Sequence, residues 1–370
     1  MKPANKKLWG AGVLLLTIIS PSPAQEHVRP PYPASSVIAG IFLDWKTHDR
    51  RAPGSDNWQL TWADDGHQYA PWGDGGGFEG TNSLGRVSLG VARIEGSWDN
   101  FKGINVWGGH NSNNRATVTG KSWGIISVAE ALYMWVSPGS PLKELQKEAC
   151  LYVSRDHAAT WQRADWCFEL ADNLSVPTIL QFSQDHAKAP DDYVYHYFIH
   201  PTSSVDFVAQ RPGVIYLLRS PKQRLLDRSA YEFFSGVQRD GKPRWSRDAN
   251  AKSPVFEDAN GVGWNLSVTW NAGLRRYLLI TEHTDSSKGN MGIFDSPQPC
   301  GPWTTVEYLN GSEGKQFGAG KVDADTFFWN IPVKWQSADG LEFTLVFTGA
   351  GRGKGNDSWN SIRGKFVVRN

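Results

Sequence analysis

The sequence predicts an all-β, single-domain fold, a five-bladed β-propeller. Three observations carry this. Short strand-like runs such as VIAGIFLDW, RVSLGVARIEG, YVYHYFIH, RRYLLITEH and EFTLVFTG are broken by Gly, Pro, Asn and Asp, while sustained helical periodicity is nearly absent. The chain of 370 residues holds 18 Trp and 38 Gly, a pairing that suits strands packing large rings and joined by tight turns. A loose repeat of the form strand, turn, strand with aromatics recurs five times, about 50 to 80 residues apart, which is room for a four-stranded blade with variable loops. A six- or seven-bladed propeller and a β-sandwich are the competing architectures.

Taken in order, the first residues, MKPANKKLWGAGVLLLTIISPSPAQE, place three lysines before an apolar run from Leu8 to Ile19 and small residues before Ala24. This is the layout of a secretory signal peptide over residues 1–24, with an uncleaved anchor as the alternative. A secreted or periplasmic protein is expected, with no membrane association in its mature form. The propeller domain is assigned to residues 37–370, and residues 37–45 are expected to close the ring by completing the last blade. The copies of the repeat are WQLTWADDGHQYAPWGD, KSWGIISVAEALYMWV, TILQFSQDHAKAPDDYVYHYF, WNLSVTWNAGLRRYLLITEH and WNIPVKWQSADGLEFTLVFTG. PLKELQKEACLYV, residues 141–153, is the best helical candidate. SRDHAATW resembles a degenerate Asp-box, a hairpin device, with alanine replacing its glycine.

Lys and Arg total 38 against 37 Asp and Glu, a formal net charge of +1, which argues against nucleic acid as a partner. Cys150 and Cys167 flank a predicted hairpin and could be bridged, leaving Cys300 free; three reduced thiols is the alternative. Neither CxxC nor HExxH occurs, so no metal site and no cofactor is predicted.

SDNWQLTWADDGHQYAPWGDGGGF, SLGVARIEG, YEFFSG with GKPRWS, FDSPQPCGPWTTV and PVKWQSADGLEFTLVFTG together resemble the DUF4185 group of secreted bacterial proteins, from about residue 37 to the C-terminus. The resemblance implies a five-bladed propeller. Some members of the group are endo-D-arabinanases, glycoside hydrolases with two aspartates, one in an SD pair and one in a G-D turn eighteen residues later. Asp56 and Asp74 occupy those positions here. The turn GDGGGF and the additional Asp64 and Asp65 depart from that pattern. Similar propellers also carry polysaccharide lyases and rhamnosidases.

Glycoside hydrolysis needs one protonated carboxyl and one base or nucleophile across the scissile bond, and Asp56 and Asp74 are assigned as that catalytic pair. Asp64-Asp65-Gly66 is read as a hairpin turn. Candidate substrate-binding residues are Trp58 and Trp72, whose apolar rings would also raise an acid's pKa, together with His110 in a polar Gly/Asn/Ser loop and Trp123, Trp264 and Trp329 at the starts of repeats. His186, Asp192 and Tyr193 complete the set. A His with a Tyr could instead serve β-elimination on a uronate, with Lys121 or Arg115 neutralising the carboxylate. Glu313 and Asp325 are candidates for a third carboxylate. The expected partner is a polysaccharide or oligosaccharide. The expected function is glycoside hydrolysis, with a lyase or a non-catalytic carbohydrate-binding propeller as alternatives.

Overall fold

A computed structural model describes residues 1, 28–139, 147–202, 208–310, 316–317, 320–321, 326–349 and 357–369. The signal-peptide segment, Glu313 and Asp325 lie outside the described residues. Five antiparallel sheets form the blades of a propeller. Blade I is β2 (Thr61–Trp62), β3 (Gln68–Gly73), β4 (Leu89–Glu95) and β5 (Lys102–Trp107). Blade II is β6 (Gly120–Val128), β7 (Ala131–Pro138), β8 (Glu148–Ser154) and β9 (Gln162–Glu169). Blade III is β10 (Ser175–Ile179), β11 (Tyr193–Ile199), β12 (Gly213–Pro221), β13 (Glu232–Val237) and β14 (Pro243–Ser246), with β15 (Pro254–Asp258) pairing to the front half of β12. Blade IV is β16 (Ser267–Asn271), β17 (Arg276–Glu282), β18 (Met291–Ser296) and β19 (Thr304–Tyr308). A small ribbon, β20 (Gln316–Phe317) and β21 (Gly320–Lys321), precedes blade V.

Blade V is β22 (Phe327–Asn330), β23 (Glu342–Thr348) and β24 (Trp359–Val368), and its outer strand is β1 (Ile38–Arg51) from the other end of the chain. β1 runs antiparallel to β24 from Ile38 opposite Val368 to Arg51 opposite Trp359. The first strand therefore closes the ring, as the sequence predicts for residues 37–45, and pairing continues to residue 51. The helical expectation for residues 141–153 fails where it can be seen, because Glu148–Ser154 is strand β8, buried from Ala149 onward. Residues with helical propensity yield there to tertiary context: both neighbouring strands pair with β8, and an almost wholly apolar run is what a strand covered on both faces requires. Cys150 and Cys167 face each other across β8 and β9 and are joined by a disulfide, with Cα atoms 4.3 Å apart. Cys300 is free.

The first strand of each blade lies nearest the axis. Along residues 57–61, Asn57, Gln59 and Thr61 alternate with Trp58 and Leu60, which pack inside the blade. The polar set meets residues of distant blades. Gln59 Nε2 donates to Asn265 Oδ1 at 2.6 Å, and Thr178 Oγ1 lies 3.5 Å from Gln59 Oε1, although blades III and IV do not adjoin blade I in the ring. These contacts cross the axis. The channel is lined by buried amides and hydroxyls that satisfy one another, while the aromatic cores fill the spaces within and between blades.

Candidate active site

The chain before β2 continues as an inner strand. Asp56 and Gly73 form an antiparallel bridge, with Asp56 N donating to Gly73 O at 2.8 Å and Gly73 N to Asp56 O at 2.9 Å. Asp56 thus sits at the end of the channel where the inner strands begin. Asp74 follows Gly73 directly at the end of β3, in a left-handed turn with φ 53°. The two aspartates are brought to one mouth by a single strand-turn-strand unit, which answers why a β-rich stretch is so densely polar.

Three further residues join them. Lys121, the second residue of β6, is 6 % exposed, and its Nζ lies 2.8 Å from Asp74 Oδ1. Arg86, from the loop between β3 and β4, reaches Asp74 Oδ2 at 3.3 Å. Asp357, just before β24, carries the backbone oxygen that accepts from Gly54 N at 2.6 Å, and its carboxyl senses Asp74, Lys121 and Arg86. Gly73 makes this packing possible. A Cβ there would meet Lys121 Nζ at 2.9 Å and Asp56 Oδ1 closer still, so a hydrogen at this position lets both charged groups lie against the backbone.

Asp56 retains some residue-level exposure, but its Oδ1 is buried and, among the described residues, has no hydrogen-bond partner. Burial pushes its pKa up to about 7; Lys121 opposes the rise and Asp357 and Asp74 add to it. Burial, with Asp74 beside it, also raises Asp357. Glu282, at the end of β17 on the same side of the ring, is fully buried and pushed up to about 8 by desolvation. Its Oε1 accepts from Ser287 N at 2.7 Å. Asp56, Asp74 and Asp357 therefore differ in burial and in contact with cations, the condition for dividing acid and base roles between carboxyls.

The remaining predicted residues lie at several other places in the ring. Trp58 and Trp72 are fully buried, 5.6 Å apart between ring centroids, and packed with Phe78 and Trp359. Trp58 Nε1 donates to Ser55 O at 3.2 Å and Trp72 Nε1 to Gly75 O at 3.5 Å, so these rings pin the backbone beside both aspartates from beneath. Trp123 and Trp264 begin inner strands at the same mouth and pack edge to face at 5.9 Å, with Phe328 4.2 Å from Trp264. Trp329 is buried in the core shared by blades IV and V. His110 is exposed on the outer rim of blade I, where its N donates to Gly76 O at 2.8 Å and it borders a 310 Å³ pocket with Glu79 and Lys102.

His186 and Asp192 lie in the turn between β10 and β11, and Tyr193 opens β11, at the opposite end of the channel from Asp56. His186 is 2 % exposed, with Nε2 3.0 Å from Tyr193 O, and burial lowers its pKa. Asp192 O accepts from Lys222 N at 2.9 Å, and the Arg219 guanidinium covers the Tyr193 ring at 3.9 Å. Arg115 is exposed in the loop between β5 and β6. Asp64-Asp65-Gly66 forms the hairpin turn between β2 and β3, with Gly66 at φ 82°. In the Asp-box, Asp156 accepts from Thr160 N at 2.9 Å and from Ser154 Oγ at 2.8 Å, a local staple, and Ala158 takes φ 71°.

Fold and site together define a five-bladed β-propeller with a mixed carboxyl and cation cluster at one mouth of its channel. The chain belongs to the DUF4185 family, a domain of unknown function, whose sequence model matches residues 124–323. That match spans β6 to the ribbon and begins after Asp56 and Asp74. No curated protein matches the chain. Among solved structures, a GH43_1 enzyme from Xanthomonas citri complexed with xylose shares the fold at 12 % identity and TM-score 0.50, covering 88 % of this chain and 93 % of that one. An α-L-arabinofuranosidase from Podospora anserina in complex with cellotriose superposes at 11 % identity and TM-score 0.45, over 91 % and 94 % of the two chains. The RS223 β-xylosidase does so at 10 % identity and TM-score 0.47, over 87 % and 96 %.

Proposed function

We propose that this protein is a secreted glycoside hydrolase that cleaves a polysaccharide, with Asp56 and Asp74 as its carboxyl pair. The observation that carries this reading is the asymmetry of the two groups at one mouth. Asp56 is buried, has an unpartnered Oδ1 and is pushed up to about 7, so near neutrality it holds the proton that a leaving-group oxygen must receive. Asp74 meets two cations, and its side chain is 31 % exposed, which suits a carboxylate that activates water or attacks the anomeric carbon. The glycines after Asp74 are buried and pack against Gly54, Leu84 and Trp72, so they fix the turn that carries Asp74. The likeness to carbohydrate-cleaving propellers supports the architecture, while the chemistry rests on these side chains. Secretion rests on the N-terminal sequence; among the described residues, no helix is long and apolar enough to cross a membrane.

The test is incubation of the purified chain with a panel of neutral and acidic polysaccharides, reading new reducing ends and product masses. Saturated products with one water added per cleavage support hydrolysis. Unsaturated, ultraviolet-absorbing uronates would replace this reading with a lyase. Retention on a polysaccharide column without any product would replace it with a binding propeller.

A further inference from the structure

The Lys121 ammonium has a place in this site beyond general charge balance. It comes from blade II, whereas both aspartates come from blade I. It is delivered at the start of β6, beside Gly73, where its own burial forces it to find a counter-charge. Among the described residues it makes one close ion pair, to Asp74 Oδ1 at 2.8 Å, while Asp56 Oδ1, on the same side of Gly73, has no hydrogen-bond partner. We propose that Lys121 is a positioning residue: a buried ammonium delivered from blade II holds the Asp74 carboxyl by direct contact and leaves Asp56, with which it makes no ion pair, free for a separate role. Two equivalent carboxyls at one mouth would share a proton without a fixed assignment. Unequal contact with one cation adds to the difference in burial that separates them.

The charged and titratable groups facing Asp56 are Lys121, Asp357, Asp74 and Arg86. Lys121 exerts the largest of their effects and the one that most favours ionisation of Asp56. Removing the ammonium must therefore make Asp56 harder to ionise. It must also leave Asp74 with Arg86 alone, a contact of 3.3 Å in which the arginine side chain is 44 % exposed. Asp56 then holds its proton to higher pH, and Asp74 loses the closer of its two cations.

The catalytic meaning of this inference rests on the hydrolase reading; its electrostatic content does not. The experiment follows the aspartate side-chain carboxyl signals by carbon-detected NMR across pH 3–10 in protein labelled at aspartate, with Asp56→Asn and Asp74→Asn spectra assigning the two resonances. In Lys121→Met, the Asp56 titration should move to higher pH, by about one unit or more. Lys121→Arg, which keeps the charge, should restore it to within a few tenths of a unit. An unchanged Asp56 titration in a folded Lys121→Met protein overturns the proposal. If Lys121→Met does not fold, Lys121→Gln is measured instead under the same criterion. Should hydrolysis be absent while the Asp56 titration moves as expected, the hydrolase reading falls and the electrostatic role stands. Hydrolysis with an unmoved Asp56 titration sinks only the role of Lys121.

Discussion

Replacing Asp56 by Asn should make the protein more stable above neutral pH while removing a group central to the proposed chemistry. An ordinary aspartate titrates near 3.9, and in the folded chain Asp56 is pushed up to about 7, chiefly by burial. Between these values the folded state binds a proton that the unfolded state has released, so stability falls as pH rises from about 4 to 7. Below pH 4 the carboxyl is neutral in both states and costs nothing. Above 7 the whole difference of roughly 3 pKa units is expressed, about 4 kcal/mol at 1.36 kcal/mol per unit. The side-chain amide of Asn is nearly isosteric and carries no charge to desolvate. For a domain of this length, 4 kcal/mol corresponds to a rise in Tm on the order of 5 °C. Glu282, pushed up to about 8, drives the same downward trend in both proteins, so the informative quantity is the difference between them. Denaturant or thermal unfolding at half-unit steps from pH 4 to 9 should show two curves that coincide near pH 4 and separate through pH 7. Parallel curves, or a variant less stable than wild type at pH 8, would refute the argument that a buried carboxyl is held there against its solvation preference.

Gly73→Ala should damage the site by steric means alone, because its Cβ meets Lys121 Nζ at 2.9 Å and Asp56 Oδ1 closer. A stability loss of about 1–3 kcal/mol and a fall in turnover are expected from unfolding curves and product release, and neutrality in both would remove Gly73 from the account. Leu43→Ala, at a position of β1 that is 1 % exposed, should cost about 2–5 kcal/mol by denaturant unfolding, because the closing strand anchors the whole ring. A cost no larger than that of a surface substitution would show that β1 is dispensable for closure.

The repeat of strand, turn and strand made the blades legible, because each blade must supply its own turn residues and its own alternating face. Residues 37–45 were legible for the same reason, as an apolar strand without a partner close in sequence. The segment at 141–153 was misread because Leu, Glu, Lys and Gln favour helices locally, whereas burial between β7 and β9 favours a strand at Glu148–Ser154. At the site, Asp56 and Asp74 could be paired from sequence because one strand-turn unit carries both and they occupy the two aspartate positions of the arabinanases the chain resembles. Lys121 and Asp357 could not be placed there, since ring geometry alone brings the start of β6 and the chain before β24 to that unit. The one available signal was that Lys121 opens its inner strand much as Asp56 opens its own. Trp58 stands two residues from Asp56, and strict alternation would put both on one face. Asn57 takes φ 60°, which breaks the alternation and turns Trp58 into the core. His186 and Tyr193 are adjacent in the fold, but strand direction puts their turn at the far mouth, a fact set by the topology of blade III.

The most direct test of the central claim is turnover of Asp56→Asn and Asp74→Asn on the polysaccharide that the wild-type chain degrades, with folding verified by circular dichroism and Tm. The account predicts that each variant loses at least two to three orders of magnitude in kcat while remaining folded, since each substitution removes only the ionisable group. Wild-type turnover in both folded variants would contradict it.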